Sequence, residues 1–310
     1  MQYRILGKTG LSASVIGFGA SPLGNEFGYS EPAEGKRAVH CAIDRGINFF
    51  DVSPYYGRTL AETCLGEALN GKRQKVILAT KCGRYDVDGF DFSAERVKAS
   101  VDESLQRLRT DYIDVLQAHD IEFGCERQIL EETIPALRQV QTEGKARFVG
   151  ITGYPLKLLA RVACAGNVDT VLSYCRYNLL IRDMDALLTP ALQEKKTGLI
   201  NAAPLHMGVL TERGAPAWHP ATKQVLETGQ KIARLCRSYQ VGITQLALRF
   251  CIEHPYVATT LVGMSSSEEV EENLCALDFK LPAGLLAEVD RIVEPVKHMV
   301  WAPGKPEYAS

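Results

Sequence analysis

The chain has 310 residues, 46% hydrophobic and 23% charged, with a formal net charge of -2. This balance supports a sizeable buried core and excludes the basic excess of a nucleic-acid binder. No apolar run approaches the ~18–20 residues that span a bilayer, and the opening Met1-Gln2-Tyr3-Arg4-Ile5-Leu6-Gly7 reads as neither a signal nor a transit peptide.

The chain opens with a hairpin, 3–6 and 11–14, turning through Gly7-Lys8-Thr9-Gly10. Short apolar strands are then predicted at 15–18, 47–50, 76–79, 113–116, 148–151, 170–172, 198–202 and 260–262. Helices are predicted between them, at 34–45, 60–69, 94–109, 126–142, 155–164, 183–195, 222–238 and 243–254. The helix at 94–109 is the best marked, with Ser93 as N-cap and Val97, Val101, Leu105 and Leu108 on one face. Near-continuous apolar strands alternating with helices indicate a parallel sheet covered on both sides. Eight such units predict one α/β domain over 1–310, a (β/α)8 TIM barrel with an N-terminal β-hairpin. The irregular stretch 204–220 has the length of a functional loop. The tail 295–310, with its isolated Trp301, is expected to cross the barrel mouth or wall.

Nine cysteines, an odd number with no C-x-x-C pair, exclude a disulfide framework or a zinc site. The expectation is a cytoplasmic protein with free thiols, no metal, and neither a nucleic-acid nor a membrane partner. The Rossmann fingerprint fails, because Gly17-Phe18-Gly19 continues as Ala20-Ser21-Pro22. Any dinucleotide must be held in another way.

Asp51, Lys81 and His119 each follow an apolar strand, the second, third and fourth, and Tyr56 lies five residues beyond Asp51. In a parallel barrel these ends converge on the face where active sites are built. Singly, each has an ordinary reading: Asp51 as a helix cap, Tyr56 as a packed aromatic, Lys81 as a solvated strand end, His119 as a core histidine. Together they suit acid–base chemistry. A phenol titrates near pH ~10, and an ammonium beside it favours phenolate. A carboxylate keeps that ammonium charged, and a neutral imidazole can donate a hydrogen bond to a carbonyl or alkoxide oxygen.

The blocks Leu6-Gly7-Lys8-Thr9-Gly10-Leu11, Asp51 with Tyr56-Gly57, Ala79-Thr80-Lys81 and Asp111-Tyr112-Ile113-Asp114-Val115-Leu116-Gln117-Ala118-His119 resemble those of the aldo-keto reductases. The resemblance implies that Tyr56 is the general acid/base, that Lys81 and Asp51 tune it, and that His119 orients the substrate oxygen. Within that family the chain looks most like members that oxidise C1 of an aldose, such as L-galactose or L-fucose, to the lactone. This implies a small-molecule sugar partner and a monomer or weak homodimer. A broad NADPH-linked aldehyde reductase and a regulatory barrel subunit, as on some potassium channels, are the alternatives.

The cofactor positions depart from the family pattern. Thr152-Gly153 stand where Ser-Asn is usual, Tyr174 where Gln is usual, and Ala202 where an aromatic stacks on the nicotinamide. Tyr174 reads either as a substitute for that aromatic or as a core tyrosine. Ala203, Pro204, Leu205 and Gly208 continue the implied cofactor loop. At the adenosine end the resemblance implicates Gly263, Ser265, Ser266, Glu269, Glu272 and Asn273. The lysine and arginine of NADPH-preferring members are absent there, and Glu269 would repel a 2′-phosphate, so NAD is expected over NADP. The other reading makes Glu268 and Glu269 favourable first-turn helix charges. For the sugar, Trp218 and His219 join Tyr56 and His119, with Arg84, Tyr85, His206 and Trp301 on further mouth segments.

Overall fold

A computed structural model describes residues 1–305. Two short strands, β1 (Tyr3–Ile5) and β2 (Ser12–Ser14), form the antiparallel hairpin, with Arg4 opposite Ala13. Eight parallel strands follow: β3 (Ile16–Gly19), β4 (Phe49–Asp51), β5 (Ile77–Cys82), β6 (Ile113–Ala118), β7 (Ala146–Gly153), β8 (Thr170–Tyr174), β9 (Gly198–Ala202) and β10 (Val257–Gly263). They close in chain order, β10 pairing with both β9 and β3. Fold class and hairpin are therefore as expected.

Two layers of apolar packing explain the closure. Residues such as Val39, Leu65, Val101, Leu137 and Leu159 sit between strands and outer helices. Inside the barrel, Phe49, Ile77, Ala79, Val115, Leu172, Ile200 and Leu261 meet Leu6, Leu11 and Ala13 of the hairpin, which thus plugs the end where the strands start. The plug fits because Gly7, at φ 51°, lies against β9. A Cβ there would come within 2.3 Å of the Gly198 nitrogen.

Several elements differ from expectation for local reasons. The segment 183–195 is two helices, Met184–Leu187 and Thr189–Lys195, broken at Leu188 ahead of Pro190. The segment 126–142 holds a π-helical turn at Ile129–Thr133, where Thr133 Oγ1 donates to Phe92 O at 2.6 Å and Pro135 lacks an amide hydrogen. An unanticipated helix, Leu285–Val293, buries Leu285, Val289 and Val293 along one stripe. The tail crosses the mouth: Trp301 stacks on Tyr154 at 4.4 Å, and Lys305 N reaches Glu122 O at 3.4 Å. The part of the expected tail beyond Lys305 lies outside the described residues. Among the described residues no helix is long and apolar enough to cross a membrane. All nine cysteines are free, and no His/Cys/Asp/Glu group among the described residues could hold a metal ion.

Candidate active site

Asp51, Lys81 and His119 lie at the carboxyl ends of the neighbouring strands β4, β5 and β6, and Tyr56 lies on the loop after β4. Lys81 is 1% exposed. Its ammonium donates to Asp51 Oδ1 at 2.5 Å, Val52 O at 2.9 Å and the Tyr56 hydroxyl at 3.2 Å. All three N–H bonds of the ammonium are thereby used. Asp51 Oδ2 accepts from Gln117 Nε2 at 3.1 Å. Burial alone disfavours the Lys81 ammonium, yet Asp51 and Tyr56 hold its pKa above the ordinary value. Burial likewise pushes the Asp51 carboxyl up, against the pull of Lys81.

The phenol corrects one expectation. Burial pushes Tyr56 up to about 12, and Lys81 limits that rise, against the opposing push of Asp51 and Asp120, rather than bringing the phenol below its usual range. Desolvation outweighs the ammonium. Because the phenol oxygen accepts from Lys81, its own proton is free to turn toward a ligand oxygen.

His119 is held as a neutral imidazole, its pKa lowered to about 3 by burial despite Asp120. Ser53 Oγ lies 2.9 Å from His119 Nδ1 and accepts from Tyr55 N at 3.1 Å. A serine proton donated to Nδ1 would place the imidazole proton on Nε2, the nitrogen nearer Asp120. The Tyr56 and His119 rings meet edge-on, their centroids 5.7 Å apart. A polar wall adjoins them. Arg84 pairs with Asp120 at 2.5 Å and lies over the Tyr55 ring at 3.9 Å, and Asp120 Oδ2 is 3.7 Å from His119 Nε2.

Ser53, Gln117, Asp120 and Glu122 went unrecognised in the sequence. Ser53 and Gln117 had a signal, since each is two residues from a recognised site residue and so shares its face of an extended chain. The other two follow His119 on an irregular turn, Asp120 at φ 52°, where periodicity carries no information.

The expected cofactor positions form an arc over the adjacent strands β7, β8, β9 and β10. Thr152 and Gly153 end β7 and Tyr174 ends β8, its hydroxyl 3.5 Å from Glu122 Oε1. Ala203, Pro204, Leu205 and Gly208 form a tight turn after β9, with φ of 54° at Ala203 and 102° at Gly208. Gly263 ends β10, and Ser266 caps the helix Ser267–Leu274, accepting from Glu269 N at 3.2 Å. Glu269 Oε2 reaches back to Ser265 N at 2.7 Å and Ser265 Oγ at 3.0 Å. Glu269 thus makes a variant of the capping box, so the helix-stabilising reading of this residue holds. Glu34 accepts from Ser267 N at 3.1 Å, which adds a second carboxylate at this end. Glu272 is exposed and Asn273 buried.

The substrate expectations divide. Trp218 is 56% exposed and lies 5.7 Å from Phe27. His219 is spent within its own loop: Nε2 bonds His206 O at 3.0 Å, and Nδ1 accepts from Ala221 N at 3.0 Å. The expectation of a sugar-binding His219 is corrected accordingly, because both ring nitrogens are occupied. His206 is fully buried. Tyr85 accepts from Gly83 N at 3.0 Å.

Fold and site together place a phenol, an ammonium, a carboxylate and an imidazole at the mouth of a (β/α)8 barrel. The chain belongs to the aldo/keto reductase family, whose profile matches residues 15–294. It is 48% identical to an L-galactose dehydrogenase of Arabidopsis thaliana, over 98% of each chain. It is 28% identical to a D-threo-aldose 1-dehydrogenase of a Pseudomonas species, over 90% of this chain and 94% of the other. Among solved structures, the holo form of an aldo-keto reductase from Bacillus halodurans superposes with a TM-score of 0.79 at 27% identity, covering 99% of both chains.

Proposed function

We propose that this protein is an aldose 1-dehydrogenase that oxidises C1 of a cyclic sugar such as L-galactose or L-fucose to the lactone, using NAD. The observation that carries the reading is the buried Lys81, bridging Asp51 and Tyr56 beside a neutral imidazole. The Arg84–Asp120 wall suits a polyhydroxylated substrate better than an apolar aldehyde. The similarity to two enzymes named as sugar dehydrogenases agrees with it.

The nicotinamide dinucleotide, when bound, accepts the hydride from C1. The arc from Thr152 to Asn273 fits such a group, with hydroxyls at both ends, a tight backbone turn between them and an unpartnered buried carboxyl oxygen on Glu122. His119 Nε2–H holds the C1 oxygen. Tyr56, as phenolate, takes the C1 hydroxyl proton, and Lys81 stabilises the phenolate until that proton arrives. Loss of one hydride and one proton converts the hemiacetal carbon directly into a lactone carbonyl. Carboxylates at the adenosine end, Glu269 and Glu34, favour NAD over NADP.

The test is a panel of aldoses assayed with NAD and with NADP separately, with products identified by NMR. A lactone formed with NAD is expected. A ketose or open-chain dicarbonyl product would exclude oxidation at C1. Turnover of simple aldehydes with NADPH, without any sugar oxidation, would overturn the whole reading.

A further inference from the structure

A carboxamide bound at the barrel mouth needs hydrogen-bond partners, and the positions assigned to it are depleted. Thr152 Oγ1 accepts from Asp120 N at 3.0 Å and lies 3.4 Å from Asp120 Oδ1 as a donor. Gly153 has no side chain. The space where a side chain at 153 would start is taken, since a Cβ there would lie 2.5 Å from Glu122 Oε2. Glu122 is 3% exposed, and its Oε1 accepts from Tyr154 N at 3.1 Å with the Tyr174 hydroxyl 3.5 Å away. Its Oε2 is buried with no partner. Such an oxygen costs free energy until a ligand satisfies it.

We propose that the carboxyl of Glu122 is the hydrogen-bond partner of the carboxamide of a bound nicotinamide, filling the place left by the bare Gly153. The inference rests on the dinucleotide reading above. The residue is suited to the task in another respect: burial and the nearby Asp120 keep its carboxyl protonated far above the usual range, so it meets a neutral amide as a neutral group. A protonated carboxyl can both donate to the amide oxygen and accept from the amide nitrogen.

The experiment measures dissociation constants by calorimetry, without sugar, for NAD and two analogues. In 3-acetylpyridine adenine dinucleotide a methyl replaces the amide nitrogen, and in thionicotinamide adenine dinucleotide sulfur replaces the amide oxygen. The protein as it stands should bind at least one analogue about tenfold more weakly than NAD, the value of one hydrogen bond. Glu122→Ala should abolish that preference and Glu122→Gln should keep it. In case Glu122→Ala folds poorly, the double variant Glu122→Ala/Gly153→Asn places a short amide in the vacated space and should restore the preference. An unchanged preference in Glu122→Ala, or no preference in the unmutated protein, would overturn the inference while leaving dinucleotide binding intact. If neither NAD nor ADP-ribose binds the unmutated protein, the dinucleotide reading fails as well.

Discussion

Replacing Lys81 by Met removes a charge beside the phenol that takes the proton in the proposed reaction. The ammonium lies 3.2 Å from the Tyr56 oxygen. At an effective dielectric of about 20, a unit charge at that range stabilises phenolate by about 5 kcal/mol. Asp51 opposes part of this. In the variant Asp51 loses its ammonium, and burial then favours its protonation, so its repulsion of phenolate disappears too. With roughly half of the effect cancelled in this way, ~2.5 kcal/mol remains, or about two pH units on the phenol. In the proposed oxidation the phenolate is the base, so an upward shift lowers the rate wherever the rate climbs with pH. With the phenol pushed up to about 12, both proteins stay on that limb at working pH, and we expect Lys81→Met to be about a hundredfold slower throughout, its profile displaced by about two pH units. The assay is kcat/KM for aldose oxidation across pH, with circular dichroism to confirm folding. Equal rates, or a slower variant whose rate does not climb with pH, would refute the electrostatic role.

Three further outcomes follow from the same geometry. Ser53→Ala leaves His119 Nδ1 without its hydrogen bond, which costs ~1–3 kcal/mol and should lower kcat at least about fivefold; an unaltered kcat would show that the serine does not set the tautomer. His119 and His206 both titrate near about 3 in the fold, so the unfolded chain binds more protons than the native one below pH ~6.5. Stability is therefore fully present above that value and lost as pH falls toward 3, by about 2 kcal/mol per histidine between pH 7 and 5. A urea midpoint equal at the two pH values would contradict this. Glu269→Gln keeps an acceptor for Ser265 but removes the charge; NADP should bind roughly two- to fivefold more tightly while NAD changes little, and an unmoved NADP/NAD ratio would remove Glu269 from the specificity.

The barrel was legible because its two faces impose a simple pattern, apolar strands between amphipathic helices, and every strand appears where that pattern placed it. The strand ends were less legible. Asp51, Lys81 and Gln117 are polar, which reads as a strand stopping, yet all three lie inside β4, β5 and β6 because the barrel interior near its mouth is where charge is wanted. Three of the four core site residues sit on such ends and were found from position. Of the polar wall only Arg84 was placed at the mouth, and its pairing with Asp120 was not legible, because the two meet across 36 residues of sequence, through loops without periodicity. His219 illustrates the opposite failure. A histidine in a long mouth loop reads as a ligand contact, and only the coordinates reveal that backbone groups consume both nitrogens.

The hairpin plug and the strap around Trp301 sit at opposite ends of the barrel, one at its sealed floor and the other across its rim. During synthesis the floor is made first. The rim is completed only after Trp301 emerges, because it must reach Tyr154 to close over the finished strands. For handling the protein the asymmetry is practical. An affinity tag belongs at Met1, beside the sealed floor and away from the candidate site.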